Sequence, residues 1–101
     1  MSCRTRQAFD QLCRDLLDQA TERMDRLRSF VERSGGAGRE GWERMLDNLR
    51  GERNRATARI EAARLADDDT WPTARAQADQ AITDLMECID DLDRRLQRLA
   101  A

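Results

Sequence analysis

Between Thr70 and Leu99 the hydrophobic positions alternate at spacings of three and four. Trp71, Ala78, Leu85, Leu92 and Leu99 hold one heptad position, d. Arg75, Ile82, Ile89 and Leu96 hold the other, a. From Ile82 onward every a and d position is aliphatic. This repeat predicts a helix over about 70–100 whose seam is buried against other helices.

Two weaker stripes precede it. Cys13, Leu17, Ala20, Met24, Leu27 and Val31 recur at helical spacing, widened by Phe9, Leu16 and Phe30. The width predicts a helix over about 3–33 that touches two neighbours. Ser2 or Thr5 is the expected cap. Trp42, Leu46, Leu49, Arg53, Ala56, Ile60 and Ala63, with Met45 at the edge, predict a third helix over about 39–66. Gly51 falls on the face opposite that stripe, where it costs ~1 kcal/mol relative to Ala without opening the core.

The punctuation agrees. Four glycines between Gly35 and Gly41 cost too much backbone entropy to stay helical, and read as a connector. Asp67-Asp68-Asp69 closes the middle helix. Thr70-Trp71-Pro72 opens the last, with proline in the first turn and Thr70 or a neighbouring Asp as cap.

Three helices of similar length, roughly 42–45 Å each at 1.5 Å per residue, joined by short links, predict an all-α, up-down-up antiparallel three-helix bundle with coiled-coil-like packing. Residues 1–101 form one such domain on this reading. The topology sets Phe9 near Trp71 at one end of the rod and Phe30 near Trp42 at the other, each pair largely buried. The outline is similar in architecture to spectrin-type three-helix repeats.

Composition narrows the picture. Every basic residue is arginine, 18 in all, with no lysine, histidine or tyrosine. GC-rich codon usage produces such a composition, which suggests a bacterial source. The net charge of −2 calls for no nucleic-acid partner. Residues 67–101 carry nine acids against four Arg, whereas 39–66 carry seven Arg against five acids. The expected outcome is salt-bridging between the acidic last helix and the others. No apolar run reaches signal-peptide or membrane-span length, so a cytoplasmic location is expected.

Candidate chemistry is sparse. Without histidine the commonest general base and metal ligand are missing, and without lysine so is Schiff-base chemistry. No catalytic residue, metal or cofactor is expected. Carboxylates such as Asp90, Asp91 and Asp93 sit at salt-bridge spacing from Arg94 and Arg95. Cys13 and Cys88 read as small buried hydrophobes too far apart along their helices to pair. Cys3, among Arg4 and Arg6, is the one cysteine placed for reactivity.

Two surfaces are candidates for binding. The first is the narrow, charged-edged end of the last seam: Ile89, Leu92, Leu96 and Leu99. Ile at a with Leu at d favours a two-stranded coil, so a homodimer or a complex subunit is expected to form there. The second is a basic face made of Arg50, Arg53, Arg55, Arg59 and Arg64. Arg53 also occupies a core position, where its stem covers the seam or its head builds a polar layer that fixes register.

The sequence therefore reads first as a non-enzymatic helical protein-protein interaction module: a small adaptor, assembly factor or accessory subunit. A lipid- or granule-surface protein with amphipathic helices is the first alternative. A weak nucleic-acid regulator acting through the Arg50–Arg64 face is the second.

Overall fold

Three helices run up, down and up along one rod: α1 (Cys3–Ser34), α2 (Arg39–Leu65) and α3 (Trp71–Ala100). The computed structural model describes residues 3–34, 36 and 38–100, apart from the side chains of Cys3 and Ala100. The rod measures 52 × 18 × 16 Å, which matches helices of about 30 residues at 1.5 Å per residue laid side by side.

Cross-chain contacts establish the directions. Arg6, at the start of α1, reaches the last carbonyls of α2, so these two helices are antiparallel. Phe9 meets Trp71 and Arg23 meets Asp90, so α1 and α3 are parallel. Arg59 meets Gln77 while Leu49 shares a groove with Leu92, so α2 and α3 are antiparallel.

The core is the meeting of the three stripes. Cys13, Ala20, Leu27 and Val31 come from α1; Leu46, Leu49, Ala56, Ile60 and Ala63 from α2; Ala78, Ile82, Leu85, Ile89, Leu92 and Leu96 from α3. Ala20, Ala56 and Ala78 have no exposed surface. Leu16, Leu17, Met24 and Met86 pack at its margins. No polar or charged residue is fully buried among the described residues.

The two turns are built differently. Gly36 and Gly38 have φ of 99° and 93°, the left-handed region that a Cβ disfavours. Their carbonyls accept the N–H groups of Arg39 and Trp42, at 3.3 and 3.1 Å, which starts α2 without a side-chain cap. The second turn is held by Asp67. Its carboxylate accepts the Thr70 N–H at 2.8 Å and the Thr70 hydroxyl at 2.9 Å. Thr70 then gives its carbonyl to Ala74, and α3 begins. Asp67 thus braces the turn that leads into α3, and its backbone carbonyl accepts the Trp71 N–H at 2.9 Å. α1 begins at Cys3, so Thr5 lies inside its first turn; Ser2 lies outside the described residues.

The ends of the rod differ from each other. Phe9 and Trp71 meet edge to face, ring centroids 5.9 Å apart, and both are buried. The Arg6 and Arg75 guanidiniums lie over the Trp71 ring at 5.6 and 5.5 Å, close enough for cation-π attraction. Arg75 therefore leaves the heptad position assigned to it and stays half-exposed on this aromatic pair. At the other end Phe30 and Trp42 pack against the core but remain only partly buried, and no ring-ring contact joins them among the described residues.

Candidate functional site

The end of the α3 seam is divided between core and solvent. Ile89, Leu92 and Leu96 are buried within the bundle's own core, whereas Leu99 is 64% exposed. Leu99 lies at the last turn of α3, at the rim of the seam. Three of the four seam residues are thus engaged in internal packing, and Leu99 is left exposed.

The five arginines of α2 point to different neighbours. Arg53 turns to α1 and donates its Nε–H to the Thr21 hydroxyl at 2.8 Å; that hydroxyl donates to the Leu17 carbonyl. Arg59 turns to α3 and donates to Gln77 at 3.0 Å. Arg50 pairs with Asp47, Arg55 with Glu52 and Arg64 with Glu61, each within one helical turn. Arg64 bonding holds the Glu61 carboxyl below its ordinary value. Arg53 and Arg59 bond to opposite neighbouring helices, so the five do not present one common surface.

Salt bridges seldom join helices. Arg23 reaches Asp90 at 2.7 Å and Asp93 at 3.9 Å, linking α1 to α3. Arg6 reaches Asp68 beyond the end of α2. The other ion pairs among the described residues are i,i+3 or i,i+4 pairs within one helix, Asp91 with Arg94 and Arg95 among them. The charge imbalance of α3 is thus neutralised by neighbours only at Asp90 and Asp93.

The cysteines separate. Cys13 is buried, and burial, helped by Asp79 and Asp10, pushes its thiol up to about 11, so it stays protonated at neutral pH. Cys88 is exposed rather than buried: it sits one position off the seam, beside a small groove of about 150 Å³ lined by Met45, Leu49 and Leu92. Its thiol is also raised, mainly by desolvation and then by Glu52 and other nearby acids. Neither is disulfide-bonded. The Cys3 side chain lies outside the described residues. Among the described residues no group of three His, Cys, Asp or Glu is gathered as metal ligands.

Larger grooves lie elsewhere along the rod. One, about 410 Å³, runs between α1 and α2 beside Trp71, floored by Phe9, Ile60 and Ala63. One Asp10 oxygen nearby is buried without a hydrogen-bond partner, while the other accepts from Arg14 at 2.8 Å. The second groove, about 310 Å³, lies between α1 and α3 toward the opposite end. Arg23, Arg26 and Arg33 line it together with Leu27, Phe30, Asp93, Leu96 and Gln97. Its α1 wall was legible as the i,i+4,i+7 stripe Arg26, Phe30, Arg33. Sequence reasoning missed it because it assigned Phe30 to the flank of the α1 seam and to the bundle end, with the ring largely buried against Trp42.

The chain matches no protein-family model, no curated protein and no solved structure. The likeness to spectrin-type repeats rests on helix number and connectivity alone. No helix among the described residues is long and apolar enough to cross a membrane.

Proposed function

We propose that this protein is a non-enzymatic helical interaction module, acting as a small adaptor or accessory subunit in a larger assembly. The observation that supports this reading most directly is the open groove between α1 and α3, with partly exposed Phe30 on its wall. Leu12 and Leu99 add isolated exposed apolar side chains. Helical surfaces of this kind recognise partners by laying side chains of one helix between those of another. Other readings have less to rest on: the α2 arginines are dispersed among intramolecular acceptors, which weakens a phosphate-binding face.

Affinity capture from a native lysate of the source organism, followed by mass spectrometry, tests the reading. A reproducible stoichiometric partner is the expected result. Recovery of none, together with turnover of a substrate by the purified chain, overturns it.

A further inference from the structure

We propose that the α1–α3 groove around Phe30 is the docking site for an acidic amphipathic helix of a partner protein, an inference that rests on the interaction-module reading and names the partner's chemistry.

The groove combines an apolar floor with uncommitted cations. Leu27 and Leu96 are buried beneath it and Phe30 stands partly exposed on its wall. Arg23 is committed to Asp90 and Asp93. Arg26 and Arg33 are exposed and make no ion pair or side-chain hydrogen bond among the described residues. They stand seven residues apart on one face of α1, about 10 Å along the axis, with Phe30 between them.

That spacing is itself a helical template. A partner helix lying along α1 presents residues i, i+4 and i+7 on one face. Carboxylates at i and i+7 meet the two guanidiniums, and an apolar residue at i+4 meets Phe30. Arginine suits this role because its planar fork takes a carboxylate in two parallel hydrogen bonds. A second copy of this chain does not fit as the occupant: its acidic helix, α3, has its apolar stripe in its own core and holds Asp90 and Asp93 on Arg23.

The probe is a dye-labelled helical peptide carrying Glu, Leu and Glu at i, i+4 and i+7, followed by fluorescence anisotropy at about 50 mM salt, where screening is weak. Saturable binding is expected, weakened at least about tenfold by Arg26→Glu with Arg33→Glu and by exchanging the peptide's Glu for Lys. Arg44→Glu, which removes a cation of α2 outside the groove, is expected to leave binding within about twofold of the unaltered protein. Arg26→Gln with Arg33→Gln repeats the test without charge reversal, and circular dichroism verifies that each variant is folded.

Equal binding by the double variant, equal binding of the Lys peptide, or no binding of the Glu peptide overturns the site. So does loss of anionic-vesicle binding in the double variant when the Glu peptide does not bind, which would assign the arginines to a membrane surface. If the peptide fails while affinity capture yields a stoichiometric partner, the groove assignment falls and the interaction-module reading stands. If the peptide binds as expected while capture yields no partner and the purified chain turns over a substrate, the groove stands and that reading falls.

Discussion

Arg53 of α2 and Thr21 of α1 are hydrogen-bonded at 2.8 Å across the flank of an otherwise apolar seam. The Thr21 hydroxyl in turn donates a hydrogen bond to the Leu17 carbonyl, so the arginine is tied through one side chain to the backbone of its neighbour. This contact sets one axial alignment of α1 against α2, as a polar residue at a core position does in coiled coils.

Thr21→Val is expected to destabilise the fold by about 1 kcal/mol, because it leaves the partly buried Arg53 donor without its acceptor. Arg53→Met is expected to cost less, since it removes the donor along with the need for a partner. Urea denaturation of both single variants and the double variant measures the coupling. Additive losses would show that the two side chains do not interact in solution.

Trp71→Ala is expected to cost about 3–5 kcal/mol, the usual range for truncating a buried aromatic. Trp71 is 2% exposed, whereas Trp42 is only partly buried. A Trp42→Phe variant should therefore keep an emission that acrylamide quenches poorly, and Trp71→Phe should leave the more accessible ring. The reverse order of quenching would place Trp71 in solvent.

Gly51→Ala is expected to stabilise the protein by about 0.5–1 kcal/mol. Gly51 is exposed within α2, and an added Cβ meets nothing within 4 Å. Alanine then supplies helix propensity without a clash. A rise of the thermal midpoint is the measurement, and a fall would mean the position is not free.

Asp67 governs part of the acid response. The Thr70 N–H, and then the Thr70 hydroxyl, hold its carboxyl below the ordinary value of 3.8. Its contribution is complete above the unfolded-state pKa and is lost as pH falls through the lower folded-state value. Denaturation from about pH 5 to about pH 2 should show a shallower acid loss for Asp67→Ala than for the unaltered chain. Parallel curves would detach the turn from the acid response.

Much of this fold was legible in the spacing of apolar residues. The α2 stripe identified Leu46, Leu49, Ala56, Ile60 and Ala63, all buried. The topology also placed Phe9 against Trp71, as found. Periodicity assigns a face, however, and does not say whether a neighbour extends to each turn of it. Leu99 continues the repeat but is exposed at the last turn of α3, and Arg75 occupies a core position but finds aromatic rings at the rim. Cys88 misses the seam by one position and is exposed. The arginines of α2 looked like one face because sequence shows spacing but not the acceptors Thr21 and Gln77 on other helices. The partly open Phe30 groove depends on how closely two parallel helices approach, which no single helix encodes.

Arg6 bonds to the Ala63 and Ala66 carbonyls at the end of α2 while its guanidinium lies over Trp71 of α3. None of these contacts is local in sequence, and together they require all three helices to be in place. The arginine is therefore expected to report the completion of folding rather than its onset. Arg6→Ala should accelerate unfolding while leaving the refolding rate nearly unchanged, the kinetic signature of a contact absent from the transition state. In stopped-flow measurements the unfolding limb would shift and the folding limb would not; a slowed folding limb would instead put this end of the rod in the nucleus. The end that closes last in folding is then the one whose loss controls how long the native chain persists.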